Sequence, residues 1–209
     1  MTSPPVTAVI FDIGNVLIEW QPERFYDAVI GEARRKRMFA DVDLHAMNDR
    51  VDRGGPFRET IYEMAEATPQ WRDEIRLWHD RWIEMASPVI ERSVRLQRAL
   101  RAKHVPVFCL TNFGVESFAY ARTQYDFLSE WDQEYVSGHM RRIKPEPEIY
   151  EMVEAQCGHA PEGLLFTDDR QDNIDMAQAR GWQTHLFEGP AGWAERLVQA
   201  GLLTREEAR

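Results

Sequence analysis

Three short apolar runs in this chain each stop at residues able to bind or transfer a charged group. Asp12 follows Ala8 to Phe11, Thr111 and Asn112 follow Val105 to Leu110, and the pair Asp168 and Asp169 follows Gly163 to Thr167. Two adjacent carboxylates facing a third repel one another unless a cation or a proton intervenes. With hard oxygen donors and no histidine or cysteine at hand, the cation that fits is Mg²⁺, which binds through one or two carboxylates and keeps waters for a phosphate oxygen to replace. A hydroxyl and an amide (Thr111, Asn112), the lysine Lys144 and Mg²⁺ would surround the three equatorial oxygens of a phosphoryl group. Asp12 is then placed to attack in line and form an aspartyl phosphate. Taken singly, each piece has an ordinary structural role: Lys144 as a solvated loop lysine, Thr111-Asn112 as a turn, Asp168-Asp169 as a helix cap. Their order, and their shared position at strand ends, join them into one site equipped for phosphoryl transfer.

The elements that must hold these residues are readable from hydrophobic periodicity. Continuous apolar runs at Ala8–Phe11, Val105–Leu110 and Gly163–Phe166 predict buried parallel strands, with weaker strands at Tyr135–Ser137 and Trp182–Phe187. Helical spacing lies between them. Pro147 opens a helix that carries Ile149, Tyr150 and Val153 inward and stops at Gly158, another runs through Ile174 and Ala177 to Gly181, and the tail from Ala191 is amphipathic. In a parallel sheet the carboxyl ends of the strands lie on one edge, so Asp12, Thr111, Asn112, Asp168 and Asp169 converge. The fold expected is α/β: a Rossmann-like parallel sheet with helices on both faces and an inserted all-helical subdomain.

That insertion is the stretch from Trp20 to Ser87, which reads as helices only. Pro22 is placed for a first helical turn, and Phe57, Ile61, Met64 and Ala65 recur after the Gly54-Gly55-Pro56 break. Thr68-Pro69 predicts a cap and first turn for one long helix with Trp71, Ile75, Trp78, Trp82 and Met85 on a single face, a packing seam rather than a substrate pocket. Ser87-Pro88 repeats the cap-plus-proline signal for the helix through Ile90, Val94, Leu96 and Leu100. The expected organisation is a discontinuous core, 1–18 and 88–209, interrupted by a helical cap at 19–87.

Composition narrows the partners. The formal net charge of −10 gives no basic footprint for a nucleic acid, and Arg34 to Arg37 read as a solvated helix face. Met1 to Pro5 do not begin a leader, and no segment approaches the roughly 18 apolar residues of a membrane span. Cys109 and Cys157 have no metal-ligand spacing and fit free buried thiols. The expected setting is the cytoplasm, without membrane attachment.

The segments FDIGNV, LTN, KPEPEIY and FTDDRQDNI together resemble the four motifs of the haloacid dehalogenase-like hydrolases, in order and across most of the chain. Gly14-Asn15 and the spacing from Asp169 to Asn173 look most like the branch of bacterial sugar-phosphate phosphatases that includes glucose-1-phosphate phosphatase. The resemblance implies a nucleophilic Asp12, phosphate contacts from Thr111, Asn112 and Lys144, metal ligation by Asp12, Asp169 and the backbone carbonyl of Gly14, and orientation of this shell by Asp168 and Asn173. The insertion corresponds to the family's helical cap. One departure stands out: most phosphatases of the family carry an acid two places after the nucleophile, and here that place is Gly14. Glu19 and His45 are substitutes by residue type, and Trp20, Phe25, His45 and Arg53 are candidate cap contacts. The same absence of an acid at this place occurs in the family's dehalogenases, so a 2-haloacid dehalogenase is the alternative enzyme, and a catalytically weak phosphometabolite-binding protein the alternative outside catalysis.

Overall fold

A computed structural model describes residues 4–209; the first three residues, included above in the reading of a leader-free terminus, lie outside the described residues. In chain order the strands are β1 (Ala8–Phe11), β2 (Ile18–Trp20), β3 (Ala86–Val89), β4 (Val107–Thr111), β5 (Gln133–Val136), β6 (Leu164–Asp168) and β7 (Gln183–Leu186). The helices are α1 (Pro22–Ile30), α2 (Glu32–Asp41), α3 (Leu44–Asp52), α4 (Phe57–Ala67), α5 (Arg72–Asp80), α6 (Trp82–Met85), α7 (Glu91–Ala102), α8 (Val115–Gln124), α9 (Ser137–Met140), α10 (Pro147–Cys157), α11 (Gln171–Ala179) and α12 (Pro190–Gln199).

Five strands form a sheet in the order β5-β4-β1-β6-β7, and every pairing in it is parallel. β1 is central because all four of its residues are apolar and buried, so it tolerates a neighbour on both edges and a helical layer on both faces. Its alternate residues divide the core. Val9 and Phe11 pack with α7, α8 and α12 through Val94, Leu100, Phe118, Trp193 and Leu197. Ala8 and Ile10 pack with α10 and α11 through Ile149, Val153, Ile174 and Ala177 on the other face. Pro147 occupies the first turn of α10, and Gly158 ends it in a left-handed conformation at φ 76, a geometry glycine adopts without steric cost. The expected α/β sheet with helices on both faces is therefore present.

Between β2 and β3 the chain forms α1 to α6, the inserted helical subdomain. Its base is a two-stranded antiparallel ribbon in which Ile18 pairs with Val89 and Trp20 with Ala86. Its apolar interior (Met38, Met47, Ile61, Ile75, Trp78) belongs to the same contiguous cluster as the α7/α12 face of the sheet. Arg34 and Arg37 are exposed on α2, as a solvated face requires.

Three local expectations fail here. The tryptophan stripe does not lie on one helix: Trp71 ends a short 3-10 turn, and the helix breaks at Arg81, whose φ of −127 and ψ of 27 are not helical. All five stripe residues are nonetheless buried, because the break reorients α6 without removing Trp82 and Met85 from the seam. Ser87-Pro88 does not cap a helix; it lies within β3, and α7 starts only at Glu91 after Ile90. The reason is cross-strand pairing: the β2–β3 ladder, continued by the Ile90 amide donating to the Leu17 carbonyl at 2.8 Å, outcompetes the local capping signal. Thr68 likewise makes no cap; its hydroxyl faces Met64 Sδ.

Candidate active site

The sheet register decides which side chains meet. Phe11 pairs with Thr167 on one side and Cys109 on the other, so Asp12 emerges level with Asp168 and one residue short of the level of Thr111. The Asp12 amide still donates to the Thr167 carbonyl at 2.9 Å, which fixes the nucleophile candidate to the end of the ladder. β1 is also where the chain switches from building one half of the sheet to the other, and ligands bind at the carboxyl ends of strands at such a point.

Around Asp12 the structure gathers residues remote in sequence. Lys144, 2% exposed, places Nζ 2.8 Å from Asp12 Oδ1 and 2.6 Å from Asp168 Oδ2. The ammonium also lies 5.4 Å from the centre of the Phe166 ring, a cation–π distance. Asn173 Nδ2 donates to both Asp168 oxygens, at 2.9 and 3.0 Å, and the Arg170 amide donates to Asp168 Oδ1 at 2.9 Å. Asp168 is thereby fully engaged by donors, whereas Asp169 is half-buried and receives one bond, from Asn15 Nδ2 to Oδ2 at 3.0 Å. Carboxylate oxygens of Asp12, Asp168 and Asp169 lie within 4.8 Å of one another.

The loop carrying Lys144 is clamped by Asn112. Its Oδ1 accepts from the Lys144 amide at 2.7 Å, and its Nδ2 donates to the Lys144 carbonyl at 3.0 Å. The Asn112 side chain is thus spent largely on positioning the lysine, and its backbone amide is the freer donor. Thr111 ends β4 buried and lines the same cavity.

Three carboxylates and one ammonium leave this buried space short of positive charge. Burial, together with Asp168 and Asp169, pushes the Asp12 carboxyl up to about 7 against the opposing pull of Lys144. Burial raises Asp169 as well, against its bond from Asn15. Lys144 would be lowered by burial, but Asp12 and Asp168 beside it hold it above the ordinary lysine value. A divalent cation is the economical remedy, since it would restore Asp12 and Asp169 to their ionised forms. The donor set therefore fits a hard metal ion.

The cavity above these groups is about 300 Å³ and runs between the sheet edge and the inserted helices. From the inserted subdomain it is lined by the aromatic Trp20, Trp78 and Trp82 and by the polar His45, Asn48, Asp49 and Asp52. Trp78 and Trp82 thus both fill the subdomain's interior and face the cavity. Of the proposed cap contacts, Trp20 and His45 line it, while Phe25 is core and Arg53 pairs with Glu146 at 2.5 Å. A second hollow, lined by Arg101, His104, Asp132 and His159, opens by the amino end of β4, away from the polar strand ends.

Two residues outside the sequence-derived set belong to the site. Asn15 sits at φ 53, a left-handed conformation that asparagine tolerates, and ties Asp169 to the subdomain by accepting the Trp20 amide at 2.9 Å. Asp52 is a buried carboxyl at the end of α3. The signal for it was present: His45, Asn48, Asp49 and Asp52 fall three, four and seven residues apart on one face, while Leu44, Met47 and Val51 form the apolar face.

The family model of the haloacid dehalogenase-like hydrolases matches residues 6–181. The chain is 26% identical over 208 residues to the D-ribitol-5-phosphate phosphatase of Bacteroides thetaiotaomicron, covering 91% of this chain and 96% of that protein. It is 24% identical over 188 residues to a sesquiterpene phosphatase of Aspergillus oryzae, covering 83% and 86%. Among solved structures, a haloacid dehalogenase family enzyme of Bacteroides thetaiotaomicron in complex with magnesium and inorganic phosphate gives a TM-score of 0.65 at 21% identity, covering 88% of this chain and 95% of that one. That likeness shows the fold.

Proposed function

This chain belongs to the haloacid dehalogenase-like hydrolases, and we propose that within them it is a Mg²⁺-dependent phosphatase of a small phosphorylated metabolite, a sugar phosphate by class. The observation that carries the reading is the convergence of Asp12, Asp168 and Asp169 within 4.8 Å around a single buried lysine. Clustered carboxylates of this kind call for a cation between them, and a cation beside a buried lysine suits a phosphoryl dianion. Asp12 would attack phosphorus, Lys144 and Thr111 would hold the phosphoryl oxygens, and Asn112 would keep Lys144 in place. Asp12, Asp169 and the Gly14 carbonyl would hold Mg²⁺, with Asp168 and Asn173 orienting the shell; bound there, the ion supplies charge compensation for the phosphoryl oxygens. In this reading residues 1–18 and 88–209 are the catalytic core and 19–87 the cap.

The relatives support the same class, since those compared are named as phosphatases, one for D-ribitol 5-phosphate. The solved neighbour holds magnesium and inorganic phosphate. The cavity favours a polyol: hydroxyls could donate to Asp49 and Asn48 while a C–H face lies on the tryptophans. Among the described residues no helix is long and apolar enough to cross a membrane, and the free buried Cys109 and Cys157 suit a reducing cytoplasm.

Gly14 favours a second reading, a 2-haloacid dehalogenase, in which halide release would be indifferent to chelator. The deciding experiment is phosphate release from a panel of sugar phosphates with Mg²⁺ and with chelator. Mg²⁺-dependent release that Asp12→Asn abolishes is the expected result; no release from any substrate, or an active Asp12→Asn variant, overturns the proposal.

A further inference from the structure

A glycine at position 14 cannot protonate a leaving oxygen, so in a phosphatase that proton must come from elsewhere. Neither sequence-derived substitute is placed for it. Glu19 is engaged by Arg24 at 2.6 Å, and His45 is exposed at the mouth of the cavity. We infer that Asp52, on the inserted helix α3, is the general acid and base of the reaction: it gives its proton to the leaving alkoxide oxygen and later takes one from the hydrolytic water. The inference rests on the phosphatase reading above.

The geometry is that of a held functional group. Asp52 lines the same cavity as Asp12, Lys144 and Asp169, and is 8% exposed. Its Oδ2 accepts from Asn48 Nδ2 at 2.8 Å, and Asn48 is itself fixed by Trp78 Nε1 donating to its Oδ1 at 3.1 Å. The backbone is tied to the sheet domain as well. Ser137 Oγ donates to the Asp52 carbonyl at 2.6 Å and accepts from the Phe113 amide at 2.8 Å. The carboxyl is thus positioned by the core although it sits on the insertion.

No basic side chain pairs with Asp52 among the described residues. A buried carboxyl without a cation costs stability, and a salt bridge does not account for its presence. The groups facing it from its own helix are His45 and Asp49; from the strand ends and loops they are Asp12, Lys144, Asp169 and Arg170, and from β2 Glu19. Burial first, then the charges of Asp49 and Asp12, push it up to about 8, against the Gly114 amide and Lys144. At neutral pH it therefore carries the proton that the reaction needs.

The steps balance without another reactant. An Asp12 carboxylate oxygen forms a bond to phosphorus while the bond from phosphorus to the leaving oxygen breaks. The Asp52 proton passes to that oxygen, giving the free alcohol and an Asp52 carboxylate. Water then attacks phosphorus, the bond to Asp12 breaks, and the water's proton returns to Asp52 as inorganic phosphate leaves.

The test compares leaving groups in wild type and Asp52→Asn. kcat/KM reports steps up to departure of the alcohol, and p-nitrophenolate departs without a proton, whereas a sugar or glycerol alkoxide does not. For Asp52→Asn we expect kcat/KM to fall about 10²- to 10⁴-fold on the alkyl phosphate and by less than about 10-fold on p-nitrophenyl phosphate. Because the ratio of the two is taken on one preparation, a reduced folded fraction cancels. The wild-type alkyl reaction should also decline above a pH of about 8, and the variant should lack that limb. Equal losses on both substrates, or no loss on either, overturn the role of Asp52 while leaving the phosphatase standing. A wild type that releases phosphate from neither ester overturns the phosphatase reading itself.

Discussion

A carboxyl that stays protonated in the fold but ionises in the unfolded chain makes stability depend on pH, and Asp52 is such a group. Its folded value is raised to about 8 from an ordinary 3.8. Between these values the folded state binds more protons than the unfolded one, so its contribution is fully present below the lower value and is lost as pH rises through the upper one. Asp52→Asn removes this titration. Its melting temperature relative to wild type should therefore climb from pH 5 to pH 9 and then level off, by calorimetry in metal-free buffer; a gap independent of pH would count against a buried neutral acid. The same residue shows why part of the candidate site was less plain in the sequence than the strand ends. Asp12, Thr111, Asn112, Asp168 and Asp169 were legible because an apolar strand announces its own end. Asp52 and Asn15 follow no such run: one closes a polar helix face and the other acts through a left-handed turn, and their importance arises only when the insertion folds over the sheet.

Elements that act through close approach leave a different kind of signature. The start of α8 meets the end of α3 at Gly114, where an added methyl group would strike the Val51 side chain. The φ of −70 at Gly114 is available to any residue, so the requirement is purely steric. Gly54, at φ 88, likewise faces the Gly138 carbonyl with no room for a side chain. These contacts set the distance between Asp52 and the strand ends. Gly114→Ala should push α3 outward, costing about 1–3 kcal/mol of stability and lowering kcat more than it raises KM, since Asp52 would be displaced while the phosphate contacts proposed for Thr111 and Lys144 would persist. Thermal melts with steady-state kinetics check this, and unchanged kcat would sever the link between the packing and the chemistry. The strands and the helices on the sheet's two faces were legible because burial on both sides imposes uninterrupted apolar runs. The break at Arg81 and the pairing of Ser87-Pro88 into β3 were not, because backbone pairing with β2 and the turn into α6 are long-range facts that a cap signal or a helical period does not contain.

At the scale of the molecule, the chain carries a net charge of −10 and places three of its acids against one another at the carboxyl ends of the neighbouring strands β1 and β6. The sheet holds them there through its register, and the polar groups around them are already bonded: Asp168 to Lys144 and Asn173, Asp169 to Asn15. Such a site is preorganised at the expense of folding, because its carboxylates repel in the absence of a cation. Binding to the folded state alone must then return stability by mass action, about 2.7 kcal/mol at a hundredfold excess of ligand over Kd. For a domain of this size each kcal/mol moves the melting temperature by about 2–4 °C. Saturating Mg²⁺ with inorganic phosphate should accordingly raise it by about 5–10 °C, with chelator reversing the shift. Asp169→Asn removes one carboxylate that would hold the ion and keeps the side-chain volume, so it should melt at or above the metal-free wild type yet show little response to Mg²⁺. A full response in that variant, read by differential scanning calorimetry, would move the ion away from Asp169 and with it the electrostatic reason for three acids at two adjoining strand ends.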